Sequence, residues 1–212
     1  MVGRSTQCGM NLQIMNRATR AALIAAAAAV GLGCAGSGPT ATPGAGDRPV
    51  AAAPGPLQPI ATLDLPRYLG RWYELARYPN RFQRQCAGAA TADYTLLPSG
   101  SVQVVNRCRL ENGETNVASA VGRQVGGADS ARLKVSFAPA WLSFIPAVWG
   151  DYWVVDLDPE YSLVAVSEPK REYLWVLSRT PQVDAARYTA LLARLEGLGF
   201  DVSKLVTTKQ MD

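Results

Sequence analysis

Histidine is absent from all 212 residues of this chain. Its absence excludes Ser-His-Asp and Cys-His catalysis, zinc held by histidine and haem with a proximal histidine. Any chemistry would have to come from carboxylates, thiols or tyrosines. We therefore expect neither a metal nor a cofactor.

Acidic residues are missing from the beginning of the chain, where Arg4, Arg17 and Arg20 precede Cys34 while all 17 Asp and Glu follow it. Subtracting these three arginines from the 21 Lys and Arg leaves 18 basic against 17 acidic residues, a net charge of +1 after Cys34. A near-neutral domain without a basic run lacks the electrostatic footprint for phosphate backbones. We therefore exclude nucleic acid as a partner.

A hydrophobic run long enough to span a bilayer is also missing. The apolar stretch at 21–30 is too short for this, and it follows two arginines, so residues 1–34 are predicted to be a signal peptide. The stretch ends in Gly31-Leu32-Gly33-Cys34, which resembles the lipobox of bacterial lipoproteins. Two interpretations are open: Cys34 is lipidated, which we favour, or the signal is simply cleaved.

Large side chains are scarce in residues 35–59, which are mainly Gly, Pro, Ala, Ser and Thr. Such a segment cannot bury a core, so we predict a disordered tether before a folded domain at 60–212. Ala35 stands where some lipoproteins carry Asp. By resemblance to lipoproteins that lack Asp there, the chain is expected at the outer membrane, lipid-anchored and facing the periplasm.

Residues 60–212 contain short alternating runs separated by turn signals, a pattern typical of antiparallel sandwiches and barrels. The runs predict eight strands in simple succession, at 71–78, 87–97, 101–110, 115–123, 131–137, 151–157, 161–167 and 172–178. One amphipathic helix follows at 181–196, with Thr180 as its N-cap. The last strand is apolar on both faces, so we expect the barrel interior on one side of it and the helix on the other.

Three motifs occur in order along this pattern: Gly70-Arg71-Trp72 at the first strand, Asp158-Pro159-Glu160-Tyr161 after the sixth, and Arg179 after the eighth. Together they resemble the lipocalin family, and in particular the bacterial outer-membrane lipoprotein-type lipocalins. The resemblance implies an all-β fold, an eight-stranded antiparallel up-and-down barrel with the C-terminal α-helix packed outside. It also implies that Gly70, Trp72 and Arg179 close one barrel end, with Arg179 over the Trp72 ring.

Side-chain alternation predicts which residues line the barrel. Small residues such as Ala92 on the inward face of the second strand hollow the interior. The same alternation places four candidate ligand-binding side chains inside: Tyr94, Asn106, Tyr152 and Trp175. The alternative is that these four satisfy one another or a buried water in a filled core. Glu74 shares the parity of Trp72, and a rim ion pair is favoured over an interior carboxylate.

The loop at 138–150 is unusually apolar for a barrel mouth. It contains Trp141 and Phe144, and Pro139 and Pro146 prevent a continuous helix or strand. Such a loop can be a lid over the ligand, a dimer contact or a lip that touches a membrane. Lid packing is the default expectation.

Cysteine is scarce, and after export only Cys86 and Cys108 remain beside the anchor, an even pair in an oxidising compartment. We predict a disulfide between them. A symmetric hairpin would put Cys108 opposite Thr91, roughly 17 Å from Cys86. Cys86 is therefore expected before the second strand, on a segment that folds back along the third.

The main hypothesis is non-enzymatic binding and carriage of a small hydrophobic ligand, such as a fatty acid or lysophospholipid, in the cell envelope. Burial of the acyl chain would drive binding at roughly 0.8 kcal/mol per methylene. One alternative is a thiol-dependent lipocalin enzyme that uses Cys108, which falls on the inward face. The other is an envelope-structural or homodimeric protein with a filled barrel.

Overall fold

The computed structural model describes residues 54–210. Their helices and strands, in chain order, are α1 (Leu65–Tyr68), β1 (Gly70–Arg77), β2 (Cys86–Leu96), β3 (Val102–Leu110), β4 (Thr115–Gln124), β5 (Arg132–Ser136), β6 (Gly150–Leu157), β7 (Leu163–Ser167), β8 (Leu174–Ser178), α2 (Ala185–Gly197) and β9 (Val206–Thr207). The predicted signal peptide, Cys34 and residues 35–53 of the tether lie outside the described residues.

The strands form a closed antiparallel barrel, as predicted. Each of β2 to β7 pairs with the next strand, β8 pairs with β1, and β1 pairs with β2, so the eight-stranded sheet closes on itself. We call the end at Gly70, next to α1, the closed end. The other end, where β1 ends and β2 begins, is the open end.

Two apolar clusters lie on the two sides of the barrel wall. On β8, Trp175 and Leu177 belong to the inner cluster, whereas Leu174 and Val176 face the outer cluster under α2. Leu191 of α2 is fully buried in that outer cluster. Burying a leucine of this kind contributes about 1.5–3 kcal/mol, so the helix is held mainly by its apolar face. The prediction of a strand covered on both sides is confirmed.

The helix α2 begins later than predicted, at Ala185 rather than at residue 181. Asp184 is the N-cap, and its carboxylate accepts a hydrogen bond from the Arg187 amide at 3.0 Å. Thr180 is used elsewhere, because its hydroxyl donates to the Gln182 carbonyl at 2.6 Å. Within residues 54–210, neither helix is long and apolar enough to cross a membrane.

A ninth strand was not predicted. The strands β1 and β2 pair only in their closed-end halves, and residues 206–210 enter between them towards the open end. Ala76 pairs with Thr207, and the Ala89 amide donates to the Lys209 carbonyl at 2.7 Å. The segment is too short for a periodicity signal, and only the gap between β1 and β2 gives it partners.

The packed part of the chain begins before residue 60, the predicted start of the domain. Leu57 is 3% exposed in the outer cluster. The Gly55 carbonyl accepts a hydrogen bond from Arg171 Nη2 at 2.8 Å. Residues 54–59 therefore differ from the predicted tether because one large apolar side chain in them finds a buried site.

Cys86 and Cys108 form the predicted disulfide, with their Cα atoms 5.6 Å apart. The predicted path to it is wrong, because Cys86 is the first residue of β2 and pairs with Leu110. From Cys86 to Thr91 the β2 chain advances five residues (91 − 86), while β3 advances three from Arg107 to Leu110 (110 − 107). Two bulges absorb the two extra residues and bring the cysteines into reach.

Candidate functional site

Trp72 and Arg179 lie together at the closed end. Trp72 is fully buried, and its indole N–H donates to the Tyr68 carbonyl at 2.9 Å. The Arg179 guanidinium carbon lies 3.9 Å from the centre of the Trp72 ring. Arg179 also donates to the carbonyls of Arg71 at 2.9 Å and Arg67 at 2.8 Å. The guanidinium thus joins α1 to β1 across the barrel base.

Gly70 has a backbone reason to be glycine at this base. Its φ is +92°, a left-handed conformation that favours glycine. A Cβ at this position would also lie 3.4 Å from Arg179 Nη1, in a contact tighter than most. The Gly-x-Trp motif therefore combines a backbone requirement with close approach of the arginine.

Three tyrosine hydroxyls meet above Trp72 and form a floor inside the barrel. The Tyr152 hydroxyl lies 2.6 Å from that of Tyr68 and 3.0 Å from that of Tyr94. Tyr94 and Tyr152 were predicted from side-chain alternation, whereas Tyr68, which α1 carries into the base, was not. The spacing of two buried residues, Leu65 and Tyr68, is helical and could have indicated an inward-facing turn.

These phenols stay neutral over the physiological range. Burial raises the pKa of Tyr94 to about 12, and burial raises the pKa of Tyr68 and of Tyr152 well above the ordinary tyrosine value. Three hydroxyl protons serve two mutual hydrogen bonds, so one proton remains for a further acceptor. The floor can therefore donate one hydrogen bond without carrying charge.

The space around this floor is small. The floor tyrosines, together with Val104, Leu133 and other apolar side chains, enclose a cavity of about 10 Å³. A cavity of this size holds about one water molecule. The closed-end half of the barrel is therefore filled by side chains, and any larger ligand must lie above the tyrosines.

Above the floor the inner wall is lined by small side chains. Ala92, Asn106 and Ala118 are paired neighbours across β2, β3 and β4 and form one inward-facing row. Asn106 and Ala118 are half-buried. Within residues 54–210 the Asn106 side chain forms no hydrogen bond, yet every fully buried polar side-chain atom there has a partner. The Asn106 amide is therefore not fully buried and opens to solvent inside the barrel.

A polar network occupies the open-end half of the interior. The Glu74 carboxylate pairs with Arg77 Nη1 at 2.8 Å and accepts from the amide of Gln83 at 2.6 Å. Arg77 Nη1 also donates to the Thr208 hydroxyl at 2.9 Å. Glu74 is only 4% exposed, so the predicted rim ion pair is wrong: the pair exists but is buried inside the barrel. A bulge in β1 after Glu74 brings Arg77 to the same face.

Trp175 belongs to this network rather than to the tyrosine floor. Its indole N–H donates to Gln83 Oε1 at 2.9 Å, and its ring stacks on Tyr173 at 5.7 Å. Gln83 lies in the connection between β1 and β2, so one side chain ties this loop to the interior.

Of the four predicted ligand contacts, Tyr94 and Tyr152 touch each other, Asn106 lies on the wall and Trp175 lies near the mouth. Gln83, Arg77 and Thr208 were missed, because their inward position depends on a loop, a bulge and β9.

The inward-facing Cys108 is not available as a nucleophile. Its sulfur is bonded to Cys86 in the disulfide. The thiolate that the enzyme hypothesis needs is therefore absent in this oxidised form. In the described part of the chain, no three His, Cys, Asp or Glu side chains group to hold a metal ion.

The chain is similar in sequence and in fold to several known proteins. The family model described as "Lipocalin-like domain" matches residues 63–210. The chain is 38% identical over 157 residues to temperature-induced lipocalin-1 of Arabidopsis thaliana, covering 74% of this chain and 84% of that protein. It is also 38% identical over 152 residues to the outer membrane lipoprotein Blc of Escherichia coli K12, covering 71% and 81% respectively. Among solved structures, insecticyanin from Manduca sexta superposes with a TM-score of 0.57 at 16% identity, over 74% of this chain and 85% of that one.

Proposed function

Because the chain belongs to the lipocalin family, we propose that it binds and carries a small hydrophobic ligand, such as a fatty acid or lysophospholipid, without catalysis. The ligand lies inside the barrel above the tyrosine floor. Transfer of its acyl chain from water into this space contributes roughly 0.8 kcal/mol to binding for each buried methylene.

One observation carries this proposal. Inward-facing side chains above the floor, among them Asn106, Ala118 and Trp175, are only half-buried, although they lie inside a closed barrel. In a barrel filled to its rim such side chains would be fully buried, as Val104 is near the floor. This partial exposure supports a binding site in the open-end half, between the small side chains of the wall and the buried polar network.

The polar side chains define two places for a ligand head group. Asn106 presents an amide on the wall, and Tyr94 and Tyr152 present the remaining hydroxyl proton at the bottom. Trp175 offers an aromatic face near the mouth, next to the buried ion pair. We propose that these four residues contact the ligand, with the acyl chain against the alanines between them.

The cellular location is part of the proposal. A relative named outer membrane lipoprotein covers most of this chain. With the lipobox-like segment before Cys34, this supports a mature protein that is lipidated at Cys34, anchored in the outer membrane and facing the periplasm. Labelling of expressing cells with a radioactive fatty acid tests this, because Cys34→Ser should abolish incorporation into the protein.

The ligand hypothesis is tested with two matched tryptophan variants on β4. Ala118→Trp fills the inward-facing row, whereas Ser119→Trp adds the same side chain to the exposed outer face of the same strand. Lipid is extracted from each purified protein and quantified by mass spectrometry. We expect stoichiometric lipid in the wild type and in Ser119→Trp, and loss of it in Ala118→Trp. Equal lipid content in the two variants would contradict the proposed position.

A second candidate, an envelope-structural protein with a filled barrel, has one observation in its favour. The closed-end half is filled down to a cavity of about 10 Å³. If the barrel has only this role, the wild type should carry no stoichiometric lipid, and Ala118→Trp should lower the free energy of unfolding without any loss of ligand. The same extraction therefore separates the two functions.

A further inference from the structure

Four large apolar side chains are exposed in the connections at the open end of the barrel. Phe82 lies between β1 and β2, and Phe137, Trp141 and Phe144 lie between β5 and β6. Their exposed fractions are 50%, 46%, 72% and 78% respectively. We call these four residues the aromatic tip. Four exposed aromatic side chains at one end of a molecule are typical of a surface that meets a partner.

The aromatic tip does not act as the predicted lid. A lid would bury Trp141 and Phe144 against the barrel contents, yet these two are the most exposed large apolar side chains within residues 54–210. The loop is held by its own contacts instead: the Trp149 indole N–H donates to the Ser143 carbonyl at 2.8 Å. The Arg123 guanidinium carbon also lies 4.1 Å from the Trp149 ring centre. The loop is thus supported from β4 while its two largest side chains point away.

The chemistry of the tip fits a lipid surface. Residues 135–149 contain no charged side chain, so no charge in this loop has to lose hydration on entering a bilayer interface. The connection that carries Phe82 contributes Arg81 and Arg84, both exposed, and no acidic residue. The β3–β4 turn at the same end carries Glu111 and Glu114. Insertion of the aromatic rings, rather than net charge, is therefore expected to dominate binding.

The N-terminal segment enters the domain at this same end. Gly55 is bonded to Arg171, which lies in the open-end connection between β7 and β8. Pro54 lies next to Gly199, just beyond the C-terminal end of α2. A chain anchored at Cys34 reaches the domain through residues 35–53, at most roughly 65 Å of extended chain. Because the chain enters the domain at the open end, the aromatic tip needs less of this reach to meet the membrane than the closed end does.

We propose that the open end docks on the bilayer through the aromatic tip, so that the mouth of the barrel faces the lipid surface to which Cys34 is anchored. This inference rests on the proposed lipid anchor at Cys34 but not on the identity of the ligand. A ligand then passes between membrane and barrel without crossing bulk water.

The test uses the full exported, lipid-anchored protein reconstituted into vesicles of phosphatidylethanolamine and phosphatidylglycerol. Some vesicles contain lipids brominated near the head group, which quench tryptophan fluorescence on contact. Trp141→Phe removes the reporter at the tip. Trp153→Phe is the matched control, because Trp153 lies on the outer wall of the barrel beside Arg132. Acrylamide measures exposure of the same tryptophans to water.

We expect brominated lipid to lower the emission of the wild type and of Trp153→Phe, and most of that loss to disappear in Trp141→Phe. Two results would overturn the proposal. If Trp141 emission is quenched by acrylamide but not by brominated lipid, the tip faces water. If it resists both quenchers, a second protein copy covers it, and the resistance should then fall on dilution of protein in the vesicles. Lipid content measured on the same purified proteins before reconstitution is independent, so failure of docking is distinguishable from failure of ligand binding.

Discussion

Removing Arg77 should destabilise the protein far more than removing an arginine from the other end of the same strand. Arg77 and Glu74 form an ion pair whose side chains are 14% and 6% exposed. Without Arg77, the Glu74 carboxylate stays inside the barrel with only neutral hydrogen-bond donors from Gln83 and Thr208. A buried charge left without its counter-ion typically costs about 3–5 kcal/mol.

The magnitude follows from the pair distance and its environment. At 2.8 Å, an effective dielectric constant near 20 gives a gross attraction of about 6 kcal/mol. Desolvation offsets much of this in the wild type, but Arg77→Met removes the attraction and leaves the carboxylate desolvated. Arg71 offers the matched control, because its pair with Asp93 is exposed at 54% and 24%. Asp93 also keeps Arg107 as a partner. Arg71→Met should therefore cost about 0–1 kcal/mol.

Equilibrium unfolding in urea measures both variants. We expect a loss of about 3–5 kcal/mol for Arg77→Met, and a smaller loss in the double variant Glu74→Leu/Arg77→Met, which removes the charge together with its partner. Equal losses for Arg77→Met and Arg71→Met would refute the interior position of the pair. A double variant as unstable as the sum of its single variants would refute the electrostatic cause.

Two further predictions concern the tyrosine floor and the disulfide. Burial raises the pKa of Tyr94 from 10.0 to about 12. The neutral phenol therefore contributes fully to the free energy of unfolding below pH 10, and this contribution is lost as the pH rises to about 12. The loss amounts to about 3 kcal/mol, and Tyr94→Phe should flatten the alkaline limb of stability measured by urea unfolding at successive pH values; an unchanged limb would contradict the burial argument. Reducing the Cys86–Cys108 bridge, which closes a separation of 22 residues, should lower the free energy of unfolding by about 3 kcal/mol. Urea unfolding with and without dithiothreitol measures this difference. The free energy of unfolding of the double variant Cys86→Ser/Cys108→Ser should not change with the reductant.

The number and order of the eight barrel strands follow from local sequence. Their turns carry Gly, Pro, Asn or Asp, and side chains along each strand alternate, so the period of two is readable without tertiary information. The two-sided burial of β8 was also readable, since Leu174 and Val176 alternate with Trp175 and Leu177. The strong motifs around Gly70, Trp72 and Arg179 lie at fixed places in this pattern and identify the family.

Features that depend on interruptions of the pattern could not be predicted. Two bulges in β2 shift its register against β3 and bring Cys86 to Cys108, whereas a regular hairpin keeps them apart. A bulge in β1 changes the parity after Glu74, so Arg77 turns inward and the ion pair is buried rather than at the rim. One inserted residue moves every later side chain of the strand to the opposite face of the sheet, and the sequence does not show clearly where this happens.

By itself, then, the sequence determined the barrel, its family and the identity of its closing residues, because those depend on local periodicity and on short motifs. Only the tertiary structure decided what lies inside the barrel. Tyr68 enters the floor through α1, Gln83 reaches in from a loop, and Thr208 follows β9 at the far end of the chain. Such contacts join residues up to 134 positions apart. No local pattern encodes them, since they exist only once the β1–β2 gap and the barrel mouth have formed.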